Sequence, residues 1–222
     1  MAFDKLYVVN RMMIAIGQKT LASLGTDSKS QRLANDIFDG IVAEVFALPI
    51  DWHFATAYAE LAQIATDPAL GYDYQYTMPD GCVRVISTVD ENCRDVHYKY
   101  DIGVYCHTEN GKVVQDDVLL CDQDEVFVKY IVLRTNSGHW PAWFTKVVIL
   151  TGAVELCIPI EGDDYRALRL QNRLDQALAD ARFANGLAGM DVDAGGRDVL
   201  EGQKDIRDGF MELNIDDYGI EY

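Results

Sequence analysis

The spacing of apolar positions changes twice along the chain, from helical to alternating and back to helical. Residues 5–16 place Leu6, Val9, Met13 and Ile16 on one face of a helix that stops at Gly17. Ser28 and Gln31 have capping-box spacing at the head of a second helix. Its stripe is Leu33, Ile37, Ile41 and Val45, flanked by Ala34, Phe38, Val42 and Phe46, with Asp36, Asp39 and Glu44 opposite. Pro49 ends it near Leu48. Asp51 is placed to cap a third helix, Trp52 to about Ala65, closed by Pro68. The alanines at 55, 57, 59, 62 and 65 would let that helix pack closely.

Alternation takes over at Tyr72, Tyr74 and Tyr76, an aromatic run of period two that fits packing at a junction of helices and sheet. Cys82 to Val89, Val96 to Tyr100, Val104 to His107, Val118 to Cys121 and Val126 to Leu133 are rich in β-branched and aromatic residues, as strands require. Asn110-Gly111 is the sharpest local signal, because a type I′ hairpin turn needs positive φ at both central residues.

Helical spacing returns at Pro141, a good first helical residue. Apolar side chains then cover nearly the whole circumference over 141–158, which predicts the most buried helix of the protein. A further helix from Asp163 or Asp164 carries Ala167, Leu170, Leu174, Ala177, Leu178 and Ala181 on one face, with Asn185-Gly186 as its stop. Residues 187–222 hold ten acidic against three basic residues and six glycines, the composition of an extended or disordered arm. The expected class is therefore α+β: a discontinuous helical bundle from 1–75 and 140–186, an antiparallel β insertion at 76–139, and an extended acidic C-terminal arm at 187–222.

Charge narrows the possible partners. The 222 residues include 36 Asp and Glu against 19 Lys and Arg, a net charge of −17. Sequence-specific DNA binding draws on Lys and Arg, so this balance argues against it. A wall that merely surrounds DNA without holding it remains compatible with the charge. The five cysteines are an odd number without framework spacing, which fits reduced thiols in a cytosolic setting. No signal peptide is evident, and Trp140–Ile160, the one candidate membrane span, carries Lys146 and Glu155 and reads better as a core helix.

Catalytic chemistry leaves no signature. His53, His97, His107 and His139 do not combine with the cysteines in a metal-ligand spacing. Asn136-Ser137-Gly138-His139 is turn chemistry rather than a nucleophile elbow, and no glycine-rich phosphate loop joins a strand to a helix. No catalytic, cofactor or metal residue is therefore assigned. Arg166, Arg169 and Arg173 form one stripe on an otherwise acidic molecule. That stripe is either a solvated face with local ion pairs or a contact for an acidic surface of a neighbouring copy. In the arm, Phe210, Met211, Leu213, Ile215 and Tyr218 concentrate apolar side chains that a solubilising tail would not need.

The order Trp52-His53-Phe54-Ala55, Pro68-Ala69-Leu70-Gly71-Tyr72, Tyr74 through Val85, Tyr130-Ile131 and Pro141-Ala142-Trp143-Phe144 resembles the head-to-tail adaptors of short-tailed phages, the tail tubular protein A family. The resemblance spans about residues 8 to 185. It implies a non-enzymatic virion protein of the neck and tail, assembled in the host cytoplasm without cofactor or membrane. It also implies a homo-oligomeric ring, a dodecamer, between the portal protein and the tail nozzle protein, with DNA passing through without sequence-specific binding. Arg166, Arg169 and Arg173 are then candidates for the subunit interface, and Phe210, Met211, Leu213, Ile215 and Tyr218 for contact with the portal or a neighbour. The other classes to separate from this one are a cell-wall-degrading tail component and a different neck or tail-completion protein.

Overall fold

Which face of each strand turns towards the helices decides the architecture, and two bulges set that choice. The computed structural model describes residues 4–24, 29–66, 68, 71–109 and 112–193. The class is α+β, as the change of period predicts. Helices α1 (Lys5–Ala15) and α2 (Lys29–Ala47) precede strands β1 (Thr56–Glu60), β2 (Tyr74–Thr77), β3 (Cys82–Val89), β4 (Asp95–Val96), β5 (Tyr100–Glu109), β6 (Lys112–Cys121) and β7 (Phe127–Val132). Helices α3 (Ala142–Glu161) and α4 (Asp164–Asp193) follow. One sheet has the order β1-β7-β3-β4 and the other β2-β6-β5, with every pairing antiparallel.

The first sheet lies between two cores. Val128 and Tyr130 of β7, with Ala57 and Ala59 of β1, face Tyr76, Leu119 and Cys121 of the second sheet. Ile131 of β7, with Val83 and Ile86 of β3, faces the helices. Strict alternation would put Cys82, Arg84 and Ile86 on one side. Register shifts between Cys82 and Arg84 and between Val85 and Ser87 instead send Cys82 and Val85 to the inter-sheet core, and Val83 and Ile86 to the helical one.

Several sequence expectations are corrected here. The helix expected from Trp52 to Ala65 is a 3-10 turn at His53–Ala55 followed by β1, so sheet structure begins at Thr56 rather than 76. Ala55, Ala57 and Ala59 alternate, and Thr56 to Glu60 pair with Ile131 to Phe127. A partner strand, not intrinsic propensity, decides the segment. The Asp51 carboxylate pairs with Arg84 of β3. The strand expected at Val96–Tyr100 is divided between the end of β4 and the start of β5. Tyr76 packs between the two sheets, not at the junction of helices and sheet.

The hairpin expectation holds in register, since Glu109 stands opposite Lys112 and leaves two residues between them. Asn110 and Gly111 themselves lie outside the described residues, as does Ser28 of the capping box. Pro141 precedes α3 at its N-cap with extended backbone rather than serving as its first helical residue. Asn185-Gly186 does not stop α4, which continues to Asp193, so 187–193 is helix rather than arm. The described residues up to Ala181 form one compact unit, and those from Arg182 to Asp193 belong to another.

Helix α3 is the axis of the helical layer. By length and composition it could cross a membrane; here it is buried on several sides, with Phe144, Val147, Val148, Leu150, Ala153 and Leu156 all in the core. A Cβ on Gly152 would stand 2.6 Å from Met12 Sδ and 3.2 Å from Ile41 Cδ1, so α1 and α2 both close on α3 at this residue. At the N-terminal end of α3, Phe144 meets five other rings. Their centroids lie 4.7 Å away for Phe46, 4.8 Å for Phe54, 5.2 Å for Trp52, 5.3 Å for Trp140 and 6.5 Å for Trp143.

Two substitutions follow from this packing. Phe144→Ala should lower the unfolding free energy by about 3–5 kcal/mol, read by denaturant melts, because neighbouring rings cannot close over the cavity. Gly152→Val should cost about 1–3 kcal/mol through overpacking. Gly152→Ala should cost less, because the Met12 thioether is flexible and alanine favours the helix by roughly 1 kcal/mol.

Candidate subunit interface

The arginine stripe takes its place from how α1 ends. After Ala15 the chain closes a Schellman motif: Gly17 N–H donates to the Ile14 carbonyl at 3.0 Å and Gln18 N–H to that of Met13 at 2.9 Å. Gly17 sits at φ +88°, a conformation that other residues adopt at a cost. The Arg166 guanidinium occupies the space that a Cβ there would need.

Arg166 Nη1 donates to the Ile16 carbonyl, placing a cation at the negative end of the α1 dipole. Its Nε lies 3.5 Å from the Asp163 carboxylate and Nη1 3.8 Å from Glu161. Asp163 also caps α4, accepting from Arg166 N–H at 2.9 Å. Arg166 is thus committed within its own chain, tying α4 to α1.

Arg169 and Arg173 are placed differently. Both are exposed, and among the described residues neither forms an ion pair, nor does Arg11 of α1. Arg169 lies over the Tyr165 ring at 5.4 Å. With Ile14, Gly17, Arg166 and Leu170 these two arginines line a groove of about 370 Å³ between α1 and α4. Arg173 also borders an adjoining groove of about 520 Å³ reaching Tyr7, Arg11, Lys146 and Ile149. Ile14 is 48% exposed and Tyr7 43%, so arginine is interleaved with accessible apolar surface.

The structure therefore brings the three predicted arginines together and adds Tyr7, Arg11, Ile14 and Lys146. Their signal was present in the sequence. Tyr7, Arg11 and Ile14 follow i, i+4, i+7 spacing on the side of α1 away from its core stripe, where two large apolar residues are out of place. Lys146 carries no comparable signal and pairs with Asp180 at 3.2 Å. Phe210, Met211, Leu213, Ile215 and Tyr218 lie outside the described residues.

Elsewhere, polar groups have local structural work. Ser137 is buried in a 3-10 turn that Asn136 caps through Gly138 N–H. His107 Nδ1 lies 3.4 Å from Asp116 across the β5–β6 hairpin. Among the described residues no three His, Cys, Asp or Glu side chains gather in a way that could hold a metal ion. All five cysteines are free thiols, and burial raises the pKa of Cys82 and Cys157.

The Tyr72 phenol donates to the Asp101 carboxylate, and that bond pushes its pKa up to about 12. Tyr76 donates to the Gln123 carbonyl between the sheets, and desolvation pushes it to about 12 as well. Compared with known families and with characterised proteins, the chain matches no family model and no characterised sequence.

Arg166→Ala should destabilise the protein by about 1–2 kcal/mol in denaturant melts, the scale of a charge-assisted hydrogen bond in a partly exposed setting. Gly17→Ala should do at least as much, through strain at positive φ and displacement of Arg166. The tyrosines carry a pH signature. Their folded pKa exceeds the ordinary value of about 10, so the contribution is complete below pH about 10 and is lost as pH rises through about 12. Tyr76→Phe should flatten part of that alkaline decline, as read by melting midpoint against pH.

Proposed function

We propose that this chain is a non-enzymatic structural subunit of a phage head-to-tail adaptor ring, joining portal to tail nozzle around the DNA exit channel. The observation that carries this reading is the convergence of its most distant motif residues. Trp52 stacks on Trp143 at 5.6 Å, and Phe54 meets Trp143 at 5.6 Å and Phe144 at 4.8 Å. Short motifs about ninety residues apart therefore act as one structural unit, which is what a shared scaffold requires of them.

The groove supports the oligomeric part of the proposal. Accessible apolar residues beside exposed arginines have the composition of an interface, where arginine and aromatic anchors are enriched. A net charge of −17 suits a wall along which DNA slides rather than sticks. On this reading the ring is a dodecamer with portal and nozzle proteins as partners, located in the virion neck.

Negative-stain electron microscopy of the purified protein, alone and with a portal protein from the same source, should show closed rings stacked coaxially on the portal. Monomers that never associate with the portal, or clearing of cell-wall substrate by the isolated protein, would refute the proposal. Duplex DNA should bind weakly at physiological salt. A micromolar or tighter complex whose affinity falls steeply with salt would contradict the non-stick channel.

A further inference from the structure

The groove between α1 and α4 has a specific chemistry that this chain can itself satisfy. Its walls present the exposed Arg169 and Arg173, with Arg11 along the adjoining groove, none ion-paired among the described residues. Its floor is apolar, with Ile14 and Leu170. Since the two grooves share Ile14, Ala15 and Arg173, they form one trough across three helices, the shape that takes an extended segment. Carboxylates and apolar residues occur together without a cation at 33–83, 113–128 and 147–165, but helices and strands take up most of those stretches. Residues 208–222 have the same character outside those elements: Asp208, Glu212, Asp216, Asp217 and Glu221 occur with no Lys or Arg, and Met211 to Asp216 alternates apolar with polar.

We propose that the trough receives residues 208–222 of a second copy of this chain, a strap between adjacent subunits that rests on the ring reading above. In an extended segment, alternation turns Met211, Leu213 and Ile215 to one side and Glu212 and Asp216 to the other. The apolar side lies on Ile14 and Leu170, while the long stems of Arg169 and Arg173 carry their guanidinium groups round to the carboxylates. Duplex DNA is a weaker candidate for the same arginines, because the chain as a whole repels phosphate and the apolar floor would be left uncovered.

The test titrates a fluorescein-labelled peptide of residues 208–222 into the full-length protein. Saturable binding that weakens with salt is expected, reduced about tenfold or more by Arg169→Glu with Arg173→Glu, since losing roughly 1.4 kcal/mol of ion-pair energy gives that factor. Far-UV circular dichroism should be unchanged. Sedimentation should show self-association weakened by that pair, weakened also by Asp216→Lys with Asp217→Lys, and restored when one chain carries all four changes. Cross-linking of mixed light and isotope-labelled chains should join the segment of one chain to the trough of another.

Peptide binding indifferent to the arginine changes, cross-links confined to single chains, or equal competition by duplex DNA would each overturn the inference. Normal rings from the arginine variant would sink it while leaving the adaptor reading intact. Conversely, wild-type chains that form no ring on the portal would sink the adaptor reading, and the peptide titration would still decide the occupant of the trough.

Discussion

The packing of Phe144 against five aromatic rings is the interaction on which the rest of the structure depends. Those rings come from α2, from the turn before β1, from the approach to α3 and, for Trp143, from α3 itself, so one buried cluster fixes the helical layer to the sheet. Aromatic pairs add about 0.5–1.5 kcal/mol each beyond the area they bury, with geometry that resists sliding. Trp52 and Trp140 extend the constraint to the backbone. Their indole N–H groups donate to the Val45 carbonyl at 3.0 Å and the Arg134 carbonyl at 2.7 Å. The end of α2 and the exit from β7 are thereby set relative to α3 before any surface chemistry matters.

From that anchor the geometry passes along α3 to the groove. Gly152 lets Met12 and Ile41 approach the helix, which seats α1. The last turn of α1 then ends where Arg166 can reach the Ile16 carbonyl, and Arg166 in turn fixes the start of α4. Arg169 and Arg173 follow one and two turns later. A stabilising contact in one arginine thus orients two that form no ion pair among the described residues, so removal of Arg166 would blur the groove as well as weaken the fold. Arginine suits both tasks because its planar fork can satisfy a carbonyl and nearby carboxylates together.

Much of the fold was legible where side chains obey one period. Helices α1 and α2, strand β3 at its exact bounds, the two-residue hairpin connection and the buried α3 all follow from spacing. Misreadings occurred where a residue type satisfies two structures. Alanine at 55, 57 and 59 suits a tight helix as well as a strand covered by large neighbours, and only the pairing with β7 resolves it. Asn-Gly at 185–186 ends a helix when its glycine turns left-handed; among the described residues Gly186 does not, and α4 runs on through the good helix formers Leu187 and Ala188 to Asp193. The arginine stripe was visible, yet its division was not. Nothing in the sequence says that Arg166 meets a carbonyl 150 positions earlier.

Hydroxyl-radical footprinting of the protein before and after assembly addresses the groove most directly, because it reads side chains rather than backbone. If the groove is the contact between subunits, reactivity of Tyr7 and Ile14 falls on assembly, while that of the exposed Ile102 and Val113 on the β5–β6 hairpin stays constant. Unchanged reactivity at Tyr7 and Ile14 in assembled protein would contradict the account.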